Sequence, residues 1–228
     1  MAFLLAFIQC PLPAWRRVVL KSACVGCYLF WCAQAYCAQL DVRVLSSKGE
    51  PVEGVVISLH NNSFAIPEPQ NIEVQQSDRR FSPQISLANV GSTVTFSNAD
   101  TIIHHVYSFS KPWRRQFRLG KSEVKQEVMD TPGEVVLGCN IHDWMLAYIY
   151  VMDTPYYART NESGLASFSD IPATKAVLRI RHPRIRDGRG KIERDIEIRD
   201  GSANMTEIRL RKRLLSTRNQ VPNDDEFY

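Results

Sequence analysis

The sequence contains many short runs in which apolar and polar residues alternate, and it shows no long run with the 3.6-residue period of a helix. In "GSTVTFSN", Val94 and Phe96 fall on one side of an extended chain, and threonine and serine fall on the other. Similar runs are "LDVRVL", "VVISL", "LAYIYVMD" and "AVLRIRHP", with "SSKGEPVEG" as a turn between the first two. Because such strands bury one face each, the pattern predicts an all-β protein built from sandwiches.

The first 38 residues differ in composition from the rest of the chain. They contain three basic residues, no acidic residue, and an apolar segment shorter than the roughly 20 residues that a spanning helix needs. This order predicts a signal peptide over residues 1–38, cleaved after Ala35 or within the next residues to Ala38, and hence a periplasmic or secreted protein without stable membrane insertion after cleavage. Arg16 and Arg17 resemble a twin-arginine signal, although the general secretion pathway is equally open and an uncleaved anchor is the alternative.

The cysteines are distributed unevenly along the chain. Export would leave Cys139 alone, because the other five cysteines lie in the leader: Cys10, Cys24, Cys27, Cys32 and Cys37. The exported chain would then have no internal disulfide. A lone thiol in an oxidising compartment is exposed to oxidation and stray pairing unless it is buried or bound to a metal.

The charge of the chain excludes one class of partner. The formal net charge of +4 includes the three basic residues of the leader, so the exported chain would be close to neutral and nucleic acid is not expected as a partner. The run "RIRHPRIRDGRGKIERDIEIRD" alternates in sign and is predicted to be a solvated strand face. We find no nucleophile and base pair and no phosphate loop in the sequence, so an enzyme is not expected.

One short stretch, "VVLGCNIHDWMLAYIYVMD", contains potential metal ligands at three-residue intervals between two strand-like runs. They are Cys139, His142 and Met145, and the pair His104-His105 stands upstream at the end of another strand. Soft sulfur ligands with imidazoles favour copper, and two histidines, one cysteine and a weak axial methionine form the blue-copper arrangement. Zinc is the main alternative, since cysteine and histidine suit it as well, but a thioether favours copper.

The segment from Phe81 to Asp153 resembles a cupredoxin. "FSPQISLANVGSTVTFSNADTIIHHV" is similar to the stretch of plastocyanin, pseudoazurin and amicyanin that leads to the first histidine ligand, and "TPGEVVLGCNIHDWM" is similar to their Pro-Gly turn, strand and ligand loop. The CxxHxxM spacing is that of amicyanin and is shorter than that of plastocyanin. The resemblance implies a Greek-key β-sandwich with one type 1 copper, held by His104, Cys139, His142 and Met145.

Four positions depart from the cupredoxin pattern: Val135 and Leu137 stand where many cupredoxins carry aromatics, and His105 and Gly138 adjoin the predicted ligands. His105 stands where the family has an asparagine that ties the ligand loops together, so this histidine is either a support for the ligands or an alternative ligand. Both neighbouring histidines cannot face the metal from one strand, because adjacent side chains point to opposite sides, and the family pattern selects His104. Gly138 replaces a bulkier residue just before the cysteine.

The two ends of the exported chain resemble one further module. "LDVRVLSSKGEPVEGVVISL" and "ARTNESGLASFSDIPATKAVLRI" are similar to the opening and the later strands of transthyretin-like or carboxypeptidase-regulatory-like sandwiches. We therefore predict a split sandwich over residues 39–70 and 154–213, an inserted cupredoxin domain over 71–153, and a flexible tail over 214–228. One continuous sandwich with a long loop region is the alternative. As a whole, the chain resembles plastocyanin-like proteins often labelled methylamine utilization proteins.

A four-ligand site without an open position predicts single-electron transfer in the periplasm, between redox proteins such as a c-type cytochrome and a dehydrogenase. A copper carrier or buffer and a metal-free structural module are the alternatives. Weak docking of an acidic partner is expected at a cationic and aromatic surface. The residues predicted for this surface are Lys111, Trp113, Arg114, Arg115, Arg118 and, in the ligand loop, Trp144.

Overall fold

The computed structural model describes residues 37–186, 190–200 and 203–216. Within these ranges the regular structure consists of β-strands, with no α-helix, so the all-β class predicted from the alternating runs is confirmed. The strands, in chain order, are β1 (Cys37–Leu45), β2 (Val56–His60), β3 (Asn71–Ser77), β4 (Arg80–Ser82), β5 (Ile85–Asn89), β6 (Ser92–Asn98), β7 (His104–Ser110), β8 (Trp113–Leu119), β9 (Val124–Met129), β10 (Gly133–Cys139), β11 (His142–Met152), β12 (Tyr157–Arg159), β13 (Leu165–Pro172), β14 (Thr174–Arg181), β15 (Lys191–Ile198) and β16 (Ala203–Arg209).

Two sheets, with the strand orders β13-β1-β16 and β12-β2-β14-β15, pack against one aliphatic core, and we call them the terminal sandwich. Strand β1 is the middle strand of the first sheet, because it pairs antiparallel with β13 and parallel with β16. Residues of this core that are fully buried include Val42, Val44, Ile57, Leu59, Leu178 and Ile180. Burying each such side chain stabilises the fold by about 1.5–3 kcal/mol.

The other two sheets, with the orders β5-β11-β10-β7-β8 and β4-β3-β6-β9, enclose a second core, and we call them the central sandwich. Strand β6 shows why these residues form a strand, since its side chains are alternately buried and half-buried along its whole length. This core is richer in aromatic and sulfur-containing side chains than the first, and its members include Val74, Phe96, Trp113, Leu137, Cys139, Met145 and Ile149.

A small apolar cluster joins the two sandwiches. Val56 of β2 packs with Tyr150 and Met152 of β11, and all three are at least 95% buried. At its rim, the Tyr157 hydroxyl donates a hydrogen bond of 2.6 Å to the Oδ1 atom of Asn89. Strand β11 therefore links this cluster to the central sandwich. Its last residues include Tyr150 and Met152, and its first residue is His142.

The N-terminal signal predicted for residues 1–38 lies, up to residue 36, outside the described residues. Its last two residues belong to β1, where Cys37 is opposite Pro172, and Ala38 is opposite Ile171. Ala38 is 2% exposed. Among the residues that the structure describes, no helix has the length and apolarity required to cross a membrane.

The flexible tail predicted from residue 214 starts too early. Leu214 packs against the core of the terminal sandwich, and the amide of Leu215 donates a hydrogen bond of 2.8 Å to the carbonyl of Arg184. The reason for the error is that one apolar contact and one backbone bond fix a segment whose composition is otherwise polar. The rest of the predicted tail, from residue 217, lies outside the described residues.

Candidate metal centre

The predicted ligand loop is a tight turn between two paired strands. Strand β10 ends at Cys139, β11 begins at His142, and only Asn140 and Ile141 lie between them. Cys139 and His142 are opposite each other in the β10–β11 register, which shifts just before Cys139. Strand pairing therefore holds these two side chains together at one end of the central sandwich.

The third member of the site comes from the neighbouring strand. His104 is the first residue of β7, which pairs with β10 in the same sheet. The Nδ1 atom of His104 lies 3.8 Å from the Cys139 Sγ atom, and the Nδ1 atom of His142 lies 3.9 Å from the same sulfur. The three ligand atoms of this His-Cys-His group lie within 4.8 Å of one another.

These separations suit a metal ion better than direct hydrogen bonds. A metal with bonds of about 2.0 Å to nitrogen and about 2.3 Å to sulfur, at trigonal angles, separates the nitrogen from the sulfur by about 3.8 Å. The donor set is also the one that copper and zinc prefer. His104 is fully buried, Cys139 is 3% exposed, and His142 is half-buried. The residues present therefore fit a bound metal ion that is almost shielded from solvent.

Met145, predicted as the axial ligand, is 1% exposed and belongs to the same core as Cys139. It faces the interior because the side chains of β11 alternate from this residue onward, with Ala147 and Ile149 also buried. Its place in the strand is therefore on the inner side of the sheet that carries the His-Cys-His group. Its role as a ligand stays a prediction.

Asp100 fixes the orientation of the His104 ring, and it was not predicted from the sequence. Its Oδ2 atom lies 2.7 Å from His104 Nε2, on the side of the ring away from Cys139. A carboxylate accepts a hydrogen bond from Nε2–H, which places the ring proton on Nε2 and leaves the Nδ1 lone pair directed at the sulfur. Burial raises the pKa of Asp100, but the hydrogen bonds from the Arg79 amide, His104 and the Asp78 amide outweigh it and leave this pKa below its usual value.

The turn between β3 and β4 holds Asp100 in place. The amide of Asp78 donates to Asp100 Oδ1 at 2.8 Å, and the amide of Arg79 donates to Oδ2 at 3.0 Å. Both turn residues have positive φ angles, of 53° and 55°, which suits a tight hairpin turn. The Asp100 amide itself donates to Asn98 Oδ1 at 2.9 Å. Four groups of the main chain and side chains therefore bond to Asp100 and orient it.

The turn between β3 and β4 also forms a hydrogen bond with Trp144, which lies beside His142. The Nε1–H group of Trp144 donates to the Arg79 carbonyl at 3.1 Å, and the indole ring lies beside His142, with ring centroids 5.0 Å apart. Burial lowers the pKa of His142, and the nearby charges of His104 and Arg79 lower it further. A lowered pKa favours the neutral imidazole, in which a ring nitrogen can bind a metal.

His105 faces away from the His-Cys-His group. Its Nδ1 atom lies 3.2 Å from the Asn140 Nδ2 atom, so its ring accepts a hydrogen bond from the turn between Cys139 and His142. This contact ties the strand that carries His104 to the ligand turn. The structure thus brings His104 to the cysteine and gives His105 the supporting position, as adjacent residues of one strand require.

Gly138 is required by its neighbour on β7. A Cβ atom at this position would lie 2.5 Å from the Tyr107 Cζ atom, so the phenol ring lies directly on the Gly138 backbone. Tyr107 and Gly138 are opposite each other in the register of β7 and β10. The residue that precedes Cys139 therefore has no side chain of its own, and an aromatic ring from the next strand covers it.

The predicted docking surface is only partly on the surface and only partly near the His-Cys-His group. Trp113 is 5% exposed and stacks on Phe96, so its inclusion was wrong: in β8 it alternates inward together with Leu119. Arg118 is opposite His105 in the register, whereas Arg114 is opposite Phe109, about 13 Å further along the strand.

The other basic residues lie still further along or face another sheet. Lys111 follows Ser110 at the far end of β7 from His104. Arg115 lies with its Nε atom 3.8 Å from Glu127 Oε2 of β9. Of the predicted cationic residues, Arg118 is therefore the one beside the His-Cys-His group. The others lie further away because β8 starts at the far end of β7 from His104 and approaches His104 only at its own end.

Of three comparisons with known proteins, the one with solved structures finds similar chains. No protein-family model and no curated protein matches the chain. Among solved structures, a purple cupredoxin from Nitrosopumilus maritimus is 19% identical, with a TM-score of 0.32, and the match covers 36% of this chain and 99% of that chain. A Cu(I) mutant of amicyanin is 18% identical, with a TM-score of 0.33, over 42% of this chain and 98% of that chain.

A copper-containing nitrite reductase from Thermus scotoductus SA-01 is 25% identical, with a TM-score of 0.34, over 48% of this chain and 28% of that chain. The match thus spans less than a third of the nitrite reductase. At these sequence identities and TM-scores, the matches do not indicate what the protein binds or does. A metal is indicated by the side chains themselves, which form a His-Cys-His group at the end of a β-sandwich, with His104 and Cys139 buried and His142 half-buried.

Proposed function

We propose that the protein is a periplasmic cupredoxin-domain protein of the methylamine utilization type, in which one type 1 copper carries single electrons between redox proteins. The observation that carries the proposal is the convergence of His104 Nδ1, Cys139 Sγ and His142 Nδ1 within 4.8 Å. Copper bound there would supply reversible one-electron chemistry. Residues 71–153 are then the copper domain, and the split module over residues 39–70 and 154–213 supports it.

The protein groups around these atoms suit electron transfer better than copper exchange. His104 is held by Asp100, and the ligand turn is held by the contact of Asn140 with His105, so the ligands are fixed before a metal arrives. Fixed ligands need little rearrangement when the charge of the bound ion changes. A carrier, in contrast, needs an open site from which the metal is easily transferred, and here the cysteine is 3% exposed.

Exposed apolar side chains surround the ligands and provide a docking surface for a redox partner. Ile102 and Ile103 precede His104 and are 42% and 58% exposed, and Ile141 precedes His142 and is 51% exposed. Weak electron-transfer complexes use small patches of this kind. Arg118, beside His105, adds positive charge at the edge, which favours an acidic partner such as a c-type cytochrome.

Visible absorption of the purified protein after addition of Cu(II) tests the proposal. We expect an intense band in wild-type protein, bleached by a mild reductant and restored by reoxidation, because the cysteine thiolate is a copper ligand in such a site. Cys139→Ser should abolish the band. Ser108→Ala is the matched control, since Ser108 is 1% exposed on β7 but is not part of the His-Cys-His group, and it should keep the band.

The other functions give different results in the same experiment. A colourless protein that binds zinc and copper equally well would contradict the proposal and favour a structural metal site. A coloured protein that transfers Cu(I) within seconds to a chelator would favour the copper carrier. Binding of neither metal would leave the metal-free module.

A further inference from the structure

The carboxylate of Asp100 contacts the His-Cys-His group directly, with its Oδ2 atom 2.7 Å from His104 Nε2. We propose that Asp100 is a positioning residue that strengthens His104 as a ligand for Cu(II) and so lowers the reduction potential of the site. The inference depends on the proposed function for its metal, and on the structure alone for its geometry.

The direction of the effect follows from the charge on the carboxylate. A proton shared between Nε2 and an anionic oxygen makes the opposite nitrogen a better electron donor. The opposite nitrogen, Nδ1, is the atom that faces Cys139 Sγ at 3.8 Å. A better donor and a nearby negative charge both favour the doubly charged ion over the singly charged one. The potential should therefore be lower with Asp100 than without its charge.

The bond between Asp100 and His104 is built into the fold. The side chain of Asp100 is 16% exposed, and its two oxygens also accept hydrogen bonds from the amides of Asp78 and Arg79. Exposed ion pairs contribute little because solvent screens them and the side chains are mobile. Here the histidine is fully buried and the carboxylate is held by backbone groups, so neither side chain can rotate away without breaking other bonds.

Asp100→Asn tests the proposal in the copper-loaded full-length protein. The asparagine amide keeps the size of the side chain but removes its charge. Its NH2 group, a hydrogen-bond donor, would also face another donor, either His104 Nε2–H or an amide of the turn. We expect the affinity for Cu(II) to fall about 10-fold to 100-fold, and that for Cu(I) to fall less. Each tenfold difference between the two losses raises the potential by about 59 mV. Redox titration of the visible band measures this shift.

Asp130→Asn is the matched control, because it removes an equal charge from an exposed residue. Asp130 follows Met129, at the end of β9 that is far from the proposed metal ligands. Its potential should equal that of wild type. A folded, coloured Asp100→Asn protein with the wild-type potential would overturn the proposal. A merely structural role for Asp100 would lower the unfolding temperature and leave the potential unchanged.

A second measurement needs no variant and no copper. Long-range proton–nitrogen correlation NMR of the metal-free protein reports which nitrogen of His104 carries its proton. We expect the proton on Nε2, and a proton on Nδ1 would overturn the proposal even if Asp100→Asn does not fold. Failure of the wild-type protein to bind copper would instead contradict the proposed function, and the position of this proton would still test the contact with Asp100.

Discussion

Each of the two sandwiches has two histidines that are largely shielded from solvent, and only in one sandwich do the two converge on a common atom. In the terminal sandwich, His60 contacts Ser58, Asp153 and Arg179, and His182 is 8% exposed near Arg184. In the central sandwich, the Nδ1 atoms of His104 and His142 both face one sulfur.

The comparison shows that burial alone does not make a metal site. His60 has Arg179 beside it as well as Asp153, and His182 lies near Arg184 and Arg159, whereas the two histidines of the central sandwich share one thiol. The terminal sandwich should therefore respond to acid and to packing changes, while the central sandwich should respond to copper.

The largest effect is expected from Gly164→Ala in the terminal sandwich. An added Cβ atom would lie 2.5 Å from the Val44 carbonyl oxygen, at a φ angle of +70° that alanine rarely adopts. Because the clash is with backbone, we expect the free energy of unfolding to fall by about 3 kcal/mol, measured in denaturant.

Gly190→Ala is the control for this change. It has a similar φ angle of +86°, but its nearest atom, the Ile185 carbonyl oxygen, is 3.6 Å away, so we expect a loss of about 1 kcal/mol. Both variants should keep the copper band. Equal losses would show that the backbone angle, and not the clash, determines the effect.

The second effect concerns acid and His182. Burial, together with the smaller effect of the nearby Arg184 and Arg159 charges, lowers the pKa of this imidazole from the usual 6.5 to about 4. The unfolded chain therefore binds a proton that the folded chain does not bind, and stability falls as the pH falls below 6.5. At pH 5 the loss from this group should be about 2 kcal/mol relative to pH 7.

His182→Gln provides the measurement, as urea unfolding of both proteins at pH 7 and pH 5. The variant should lack about 2 kcal/mol of the wild-type pH dependence, whatever its stability at pH 7. An unchanged pH dependence would mean that the histidine is already protonated in the folded protein or does not titrate in this range.

The smallest effect should come from the surface of the central sandwich. Arg118→Glu reverses a charge beside His105, and we expect about threefold slower electron transfer with an acidic c-type cytochrome at low salt, with a weaker salt dependence. Stopped-flow absorbance measures the rate. Arg114→Glu, about 13 Å further along β8, should change the rate less. Equal slowing by both variants would place the docking surface elsewhere on the sheet.

Much of the fold and most of the candidate ligands could be predicted from the sequence. Alternation gave the strands around Val94 and Phe96, and three-residue spacing with a tight turn placed Cys139 near His142. Trp113 was predicted to be exposed because of its basic neighbours, although its alternation with Leu119 indicates an inward side chain.

Asp100 could not have been predicted in the same way. It lies in a polar segment without periodicity, and its role depends on a hairpin turn whose amides at Asp78 and Arg79 are more than twenty residues earlier in the chain. Only the parallel pairing of β3 with β6 brings that turn to the segment before His104. Contacts of this kind are set by tertiary structure, and no local pattern of residue types reports them.

The pairing of β1 has a consequence for the order in which the protein folds. This strand is the first of the described strands to be synthesised, yet its parallel neighbour is β16, the last of them, with Gln39 opposite Ala203 and Leu45 opposite Arg209. Until β16 has emerged, one edge of β1 has no strand to pair with. The strands of the central sandwich are consecutive in the chain, so the His-Cys-His group can be assembled while the terminal sandwich is still open.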